Sequence, residues 1–261
     1  MNLVLPYLFH IYGPIYANCY GISIAIGIII FTYLLDHDSN RKKLINSDQL
    51  QELVLWGIIL GVIGGRLLWA ASNLPMTIYE FFEIWEGGFA VLGSISAILL
   101  FVPIYLKKYQ IPILPLLDLT SIYAPLLQSI SRIGCFLAGC CYGIPTHMPW
   151  GIIYTHVDVA VPNELKFIAI HPTQLYSSLI LFGSFLLMRY LLSKTFKKPG
   201  QLLTSYLMLV CSERFLVDFW RADQEFFDSQ YLKLFSFHQW IALGIFVTAL
   251  ILFINCSKKT N

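Results

Sequence analysis

An arginine followed closely by three cysteines is the segment of this sequence best suited to chemistry. Arg132 precedes Cys135, Cys140 and Cys141, and glycine or alanine interrupts the segment four times up to and including Gly143. The segment closes an apolar run of about twenty residues that begins near residue 112. A charge at the end of a membrane-length segment is costly unless a function uses it. This segment is therefore the first candidate for a functional site.

Two further arginines fall inside apolar segments of similar length. Arg66 lies in the second such segment and Arg214 in the sixth, and in the orientation derived below both stand toward the same side as Arg132. A guanidinium at that depth needs an anion, and its planar fork of donors fits a phosphate. The three arginines predict a shared site for a lipid phosphate. The alternative is that each extends to the membrane surface or pairs with a carboxylate, such as Glu213 or Asp218.

The cysteines leave several interpretations open. They could be small packing residues between helices, they could shape a pocket or take part in redox chemistry, or one could be a nucleophile activated by Arg132. A disulfide between Cys135 and Cys140 is conceivable on the outer side of a membrane. The six cysteines of the chain form no CxxC pair, so a structural zinc site is not expected.

The composition indicates an integral membrane protein. Of the 261 residues, 57% are hydrophobic and only 12% are charged, whereas a soluble domain has about 25% charged residues. The mean hydropathy of +0.68 agrees. The net charge of +2 is small, and no basic face interleaved with aromatics suggests nucleic acid as a partner. The N-terminus does not resemble a removed signal peptide.

Seven segments are long and apolar enough to cross a bilayer. Lysines and arginines divide ten against three between the two sets of connections, which places the N-terminus outside and the C-terminus in the cytoplasm. The sequence therefore predicts an all-α integral membrane protein with seven transmembrane helices, forming a single domain over residues 1–261. The predicted spans are 15–35, 50–71, 87–106, 112–139, 172–192, 201–221 and 237–256.

Six separated motifs follow one another in an order that is typical of a known family. The motifs are Tyr20 with Gly21, the segment 64–67, the segment 85–88, Ala124 and Pro125 followed by 132–134 and by Tyr142 with Gly143, the hexapeptide 171–176, and the segment 214–223. In this order, over about residues 12–250, the chain resembles the prolipoprotein diacylglyceryl transferases.

The resemblance implies a reaction and its partners. Such enzymes move the diacylglyceryl group of phosphatidylglycerol to the thiol of the lipobox cysteine of a preprolipoprotein, so that a thioether forms and glycerol phosphate leaves. The implied location is the bacterial plasma (inner) membrane, with membrane lipids around the protein. No cofactor and no metal is implied.

The resemblance also implies roles for individual residues. Arg132 and Arg214 match arginines suited to the leaving phosphate, Tyr20 matches a tyrosine at the lipid headgroup, and Arg66 and Asp218 match positions that could hold the site together. The implied catalytic residues are Arg132, Arg214 and His171, and the implied substrate-binding residues are Tyr20, Arg66, Cys135, Cys140, Gly143, Gln174 and Asp218.

The chain departs from the family pattern at several polar positions. Leu92 stands where a histidine that is often assigned as the base is expected. The other departures are Cys135, Ala138 and Cys140 in place of two asparagines and a glutamate, Ser177 in place of an acid, and Val210 in place of a tyrosine. They leave three alternatives to the family reaction: transfer to a different acceptor, a phospholipid-binding or phospholipid-translocating protein without catalysis, and a thiol-dependent enzyme that uses Cys140 or Cys141.

Overall fold

The computed structural model describes residues 6–12, 15–75, 77–83, 88–226 and 234–258. Three residues of one predicted motif, Trp85, Glu86 and Gly87, lie outside this part of the chain. Two of the lysines counted in the ten-against-three division of positive charges, Lys233 and Lys259, lie outside it as well.

Helices make up most of the described chain. Strands β1 (Tyr7–Tyr12) and β2 (Ile15–Asn18) form a two-stranded sheet, and β3 (Ile152–Ile153) pairs antiparallel with β4 (Ala169–Ile170). The helices are α1 (Cys19–Asp36), α2 (Ser47–Ser72), α3 (Ile78–Phe82), α4 (Val91–Lys108), α5 (Ile113–Ala138), α6 (Thr173–Leu187), α7 (Ser193–Thr195), α8 (Gln201–Asp218) and α9 (Phe237–Lys258), with a π-helical turn at Met188–Leu192 and 3₁₀ turns at Arg41–Lys43 and Asn163–Leu165.

Each predicted span overlaps a helix, but two of the helices begin four residues later than predicted. Residues 15–18 form β2, so the first helix begins at Cys19 rather than at residue 15. The third begins at Val91 because Ala90 is extended, with φ −88° and ψ 111°. Both corrections reflect backbone conformation that hydropathy does not report.

Within the described residues, six helices are long and apolar enough to cross a membrane: α1, α2, α4, α5, α6 with its continuation to Thr195, and α9. Many of their apolar side chains are exposed. The most apolar 18-residue stretch of α9 has a mean hydropathy of 2.2, and only 11% of it is buried. Helix α8 is as long as α1, at 18 residues, but contains Glu213, Arg214 and Asp218. The chain is thus a multi-pass membrane protein, and the predicted sixth span, 201–221, coincides with its charged helix.

The chain divides into two compact units. The larger contains Met1–Phe9, Ala17–Phe31 and Leu117–Asn261, and the smaller contains His10–Tyr16 and Thr32–Leu116. In the smaller unit α2 packs closely against α4, because a Cβ on Gly64 would lie 2.6 Å from the carbonyl oxygen of Gly93, and one on Gly93 would lie 2.2 Å from that of Gly64. Only glycine allows two helices to approach this closely.

In the larger unit, α8 is anchored at its N-terminus by a carboxylate from α5. Asp118 accepts hydrogen bonds from the backbone N–H groups of Gly200, at 2.6 Å, and Leu203, at 2.7 Å. A negative charge at this end of a helix satisfies free donors and is stabilised by the helix dipole. Helix α8 also packs against α6 and α9. These contacts fix the helix that contains Arg214.

Candidate active site

The chain reverses direction where α5 ends. Gly139 has φ +75°, and Cys141 has φ +59°, a left-handed conformation that is uncommon for a residue other than glycine. The following loop covers a small core of Tyr154, Val159 and Ile170, and the Tyr154 hydroxyl donates to the carbonyl of Phe136 on α5. The double reversal turns two cysteines back toward the last turns of the helix.

The three cysteines consequently form one cluster. The Sγ atoms of Cys135, Cys140 and Cys141 all lie within 4.8 Å of one another, and all three thiols are free. A guanidinium nitrogen of Arg132 lies 3.8 Å from the Sγ of Cys141. The disulfide considered between Cys135 and Cys140 is not formed. The C-x₄-C-C spacing alone did not predict this convergence, because it depends on the left-handed turn.

Contacts within the cluster shift the pKa values of two of its thiols in opposite directions. Hydrogen bonds from the other two thiols, together with Arg221 and Arg132, hold the pKa of the Cys141 thiol below its usual range. Hydrogen bonds of Cys140 with Cys135 and Cys141, together with burial, raise the pKa of the Cys140 thiol. Of these two thiols, Cys141 is therefore the one that loses its proton more readily.

Three guanidinium groups face the same region of the larger unit. Arg214 on α8 interacts electrostatically with Arg132 on α5 and with Arg221, just beyond α8, and all three interact with Cys141. The sequence analysis included Arg221 in the motif 214–223 but gave it no role of its own. Burial lowers the pKa of Arg221, but its hydrogen bonds to Asp223 and the negative charges of Cys141 and Asp223 raise it more, so the group stays cationic.

A buried carboxylate holds two of these arginines. Asp218 is 1% exposed, and its Oδ1 lies 3.2 Å from an Arg214 nitrogen and 3.8 Å from the Nε of Arg221. Its Oδ2 accepts a hydrogen bond from the hydroxyl of Ser236. Arg221 in turn forms a bidentate pair with Asp223, at 2.8 and 2.5 Å. The arrangement fixes the directions of Arg214 and Arg221.

Glu213 is a site residue to which the sequence analysis gave no functional role. Its side chain is 2% exposed, and Oε1 has no hydrogen-bond partner among the described residues. Its charge interacts with that of Arg132. A buried carboxylate beside a cation, with an unused acceptor, can hold the cation or accept a proton. Only its place beside Arg214 in the sequence pointed to it.

Gly143 lies where no other residue fits. A Cβ there would be 2.4 Å from the carbonyl oxygen of His171 and 2.9 Å from that of Trp220. Gly143 forms an antiparallel bridge with Arg221, and the next N–H, that of Ile144, donates to Trp220 at 2.9 Å. The loop after the cysteines is thus clamped between β4 and the end of α8.

The polar start of α6 supports the cysteine loop. Gln174, 1% exposed, donates to the carbonyl of Cys140 at 2.7 Å, and the hydroxyl of Thr173 donates to the carbonyl of Cys141 at 2.7 Å. The Oε1 of Gln174 is buried and unpaired in the described chain. These two bonds hold the backbone of both cysteines.

His171 is part of an aromatic hydrogen-bond chain. Its Nδ1 lies 3.0 Å from the hydroxyl of Tyr176, which also accepts from the indole N–H of Trp150 at 2.7 Å. Among the described residues, none forms a hydrogen bond with Nε2 of this half-buried ring.

Tyr20 lies in the first turn of α1 and faces the cluster. It interacts electrostatically with Arg132 and with all three cysteines. Helices α1 and α5 approach closely here, since a Cβ on Gly134 would lie 3.1 Å from the Cα of Tyr20. Tyr20 therefore faces polar groups at the start of α1.

Arg66 belongs to the smaller unit, where its guanidinium is surrounded by backbone oxygens. It donates to the carbonyls of Phe81 and Gly88, both at 2.9 Å, and stacks on Trp69, 4.3 Å from the ring centre. It also donates to the backbone carbonyls of Glu80 and Glu83. Leu92, in the same unit, is 72% exposed.

Comparison with known proteins assigns the chain to a family. The family model described as prolipoprotein diacylglyceryl transferase matches residues 6–255. A phosphatidylglycerol–prolipoprotein diacylglyceryl transferase of Clostridium tetani is 37% identical over 252 residues, which cover 93% of this chain and 96% of that protein. Relatives with the same name occur in Thermotoga maritima, at 29% identity over 85% of this chain and 76% of that protein, and, as transferase 2, in Clostridium perfringens, at 29% over 99% and 96%.

These matches confirm the resemblance drawn from the six motifs, and with it the expected class of enzyme, a transferase. Because the match runs through the charged helix α8 and the cysteine loop as well as through the apolar spans, it does not rest on membrane composition alone. The chain belongs to the prolipoprotein diacylglyceryl transferase family.

Proposed function

We propose that this protein transfers the diacylglyceryl group of phosphatidylglycerol to the lipobox cysteine of a preprolipoprotein. The observation that carries the proposal is the meeting of three guanidinium groups, from Arg132, Arg214 and Arg221, beside the turn that ends α5. Converging guanidiniums suit a phosphate, because their N–H donors match its oxygens in geometry and charge.

In this reaction the thiol sulfur of the acceptor attacks the glyceryl carbon that bears the phosphate. One C–S bond forms, the C–O bond to the phosphate breaks, and glycerol phosphate leaves with the electron pair. Negative charge on the leaving phosphate grows toward the transition state, so fixed cations around it lower the barrier. Arg132 and Arg214 take this role.

The thiol proton needs an acceptor. His171 has an open Nε2 and an Nδ1 held by Tyr176, which makes it the candidate base at the entrance of α6. Glu213 positions Arg132 through its buried charge. Leu92 replaces the family histidine with an exposed alkyl chain, so the base must come from another element in this protein.

The remaining residues bind substrate or shape the site. Tyr20 contacts the headgroup, and Cys135 and Cys140 line the pocket where the family has an asparagine and a glutamate. Gly143 and Gln174 fix the loop that contains these cysteines. In the larger unit Asp218 holds two arginines, and in the smaller unit Arg66 holds the segment from Glu80 to Gly88.

The proposal includes a topology. Seven spans, with α8 as the sixth, an outer N-terminus and a cytoplasmic C-terminus, place Arg132 and Arg214 near the outer surface of the bacterial inner membrane. A charged helix is tolerated in a membrane where it faces the protein interior, and Glu213 and Asp218 are 2% and 1% exposed. We propose that residues 1–261 form a single membrane domain.

The direct test uses purified protein in phospholipid nanodiscs, phosphatidylglycerol labelled in its acyl chains, and a lipobox peptide. Label on the peptide with an equal amount of glycerol phosphate released supports the proposal. A matched peptide with serine in place of the lipobox cysteine is the control and should stay unlabelled. Tight lipid binding without turnover would instead identify a non-catalytic lipid-binding protein. Complementation of a strain depleted of its own diacylglyceryl transferase tests the same activity in cells.

A further inference from the structure

The cluster of Cys135, Cys140 and Cys141 has a feature that neither phosphate binding nor diacylglyceryl transfer requires. Three thiols converge from two directions, one from the last turns of α5 and two from the loop after it, with all Sγ separations within 4.8 Å. Within the described part of the chain, this is the one group of three or more histidine, cysteine or acidic side chains placed to share an ion.

The backbone at Cys140 and Cys141 is held in the conformation that brings the three thiols together. Cys141 has φ +59°, a conformation that is unfavourable for a residue other than glycine and persists only where surrounding contacts enforce it. Here the contacts are the hydrogen bonds from Thr173 to the Cys141 carbonyl and from Gln174 to the Cys140 carbonyl, both 2.7 Å. Both donors are 1% exposed. Packing alone would not require a strained conformation at a cysteine.

The geometry selects the kind of ion. Three sulfurs around one ion, each with a bond of about 2.3 Å, lie about 4 Å apart in a planar arrangement, which is compatible with separations within 4.8 Å. Zinc takes four ligands in structural sites, and no fourth histidine, cysteine or carboxylate joins the group among the described residues. Thiolate ligands favour soft ions, copper(I) foremost.

The surrounding charge favours the same ion. The guanidinium of Arg132 lies 3.8 Å from the Sγ of Cys141, and Arg221 faces this sulfur too. A copper(I) tris-thiolate has a net charge of −2, which neighbouring cations stabilise. Cys135 is 6% exposed, whereas Cys140 and Cys141 are half-buried, so the cluster is sheltered yet reachable.

We propose that Cys135, Cys140 and Cys141 form a three-coordinate site for copper(I). The ion displaces the three thiol protons, three Cu–S bonds form, and no electron is transferred. Arg132 is in contact with the cluster, so a bound ion draws its guanidinium toward sulfur. This last step rests on the proposed function: occupancy then reduces diacylglyceryl transfer.

The test measures binding separately from activity. Full-length protein in nanodiscs, kept anaerobic and reduced, is titrated with copper(I) buffered by a chromogenic chelator. The wild type should take up one equivalent, and its X-ray absorption should show three sulfur neighbours at about 2.3 Å. Cys135→Ser, Cys140→Ser and Cys141→Ser should each weaken binding by at least about 100-fold, more than the loss of an outer contact. Cys256→Ser, which alters a half-buried cysteine at the end of α9, should bind like the wild type.

Three results of the binding experiments would count against the copper site. Uptake that survives Cys141→Ser, oxygen or nitrogen neighbours in the absorption spectrum, or equal uptake of zinc would overturn it. If a serine variant does not fold, maleimide labelling of wild-type protein decides: copper(I) must protect these three cysteines and leave Cys256 labelled to the same extent as without the ion. Binding without any change in transfer would refute only the inhibitory step, whereas absence of transfer in copper-free protein would refute the proposed function and leave the site standing.

Discussion

At the residue scale, the structure redistributes the arginines that the sequence grouped together. Arg132 and Arg214 are joined by Arg221, whose charge is fixed by Asp218 and Asp223. The guanidinium of Arg66 is satisfied by backbone carbonyls of its own unit. Backbone carbonyls thus surround Arg66, whereas the carboxylates of Glu213, Asp218 and Asp223 accompany the arginines of the larger unit.

Arg132 should be the most sensitive of these positions. We expect Arg132→Ala to reduce transfer by at least about 100-fold, because a leaving phosphate that loses its cation loses about 3 kcal/mol of transition-state stabilisation. Arg132→Lys should retain partial activity, since it keeps the charge but not the planar fork. The measurement is labelled-peptide formation in nanodiscs. Arg189→Ala, at an exposed position of the π-helical turn, is the matched control, and an unaffected Arg132→Ala variant would remove this residue from the site.

Asp218 should matter for stability as well as for activity. Asp218→Asn leaves Arg214 and Arg221 without their shared buried partner, and breaking one side of a buried ion pair costs about 3 kcal/mol or more. We expect a lower free energy of unfolding, measured by chemical denaturation in detergent. Ser236→Ala, which removes a neutral donor to the same carboxylate, should cost about 1 kcal/mol. If Asp218→Asn and Ser236→Ala lowered the free energy of unfolding by the same amount, the assigned charge pairing would be contradicted.

At the element scale, close backbone contacts decide where the site lies. The loop after α5 is held between β4 and the end of α8 through Gly143, while α1 approaches α5 at Gly134. Asp118 fixes the opposite end of α8. The catalytic candidates therefore belong to elements joined by backbone hydrogen bonds and glycine contacts. These contacts restrict movement of the elements relative to one another within the larger unit.

Gly143→Ala should disrupt this clamp. The added methyl would lie 2.4 Å from the carbonyl oxygen of His171, and both partners are backbone, so the loop or β4 must move. We expect transfer to fall about tenfold or more, consistent with the sensitivity of catalysis to displacements of about 1 Å. Gly183→Ala adds the same methyl on α6 with nothing within 4 Å and should leave activity unchanged. If both variants kept full activity, the clamp would have no part in positioning the site.

At the scale of the whole molecule, each of the two units combines exposed apolar helix faces with buried charged side chains. The exposed faces of α2, α4 and α9 are rich in large aliphatic side chains, whereas Arg66, Glu213 and Asp218 are buried. In a bilayer the polar groups must be satisfied by the protein itself. This distribution explains how a helix with three charged residues can belong to a membrane protein.

The topology can be tested with fusions. With seven spans and an outer N-terminus, a fluorescent protein fused after Lys258 should be fluorescent, because it remains in the cytoplasm, and alkaline phosphatase at the same position should be inactive. Phosphatase inserted near His147, in the loop between α5 and α6, should be active. The opposite pattern at both positions would invert the orientation, and equal signals on the two sides would mean that α8 does not cross.

The sequence by itself determined the membrane class, the approximate helices, the family and the candidacy of Arg132, Arg214 and His171. Apolar length and motif order are local properties of a chain, so they can be read without coordinates. Only the tertiary structure decided that three cysteines meet, that Arg221 joins the arginines, and that Glu213 is buried with an unused oxygen. These facts depend on a left-handed turn at Cys141 and on contacts between α5, α6 and α8. The late start of α1 after a strand also depends on backbone pairing that hydropathy cannot express.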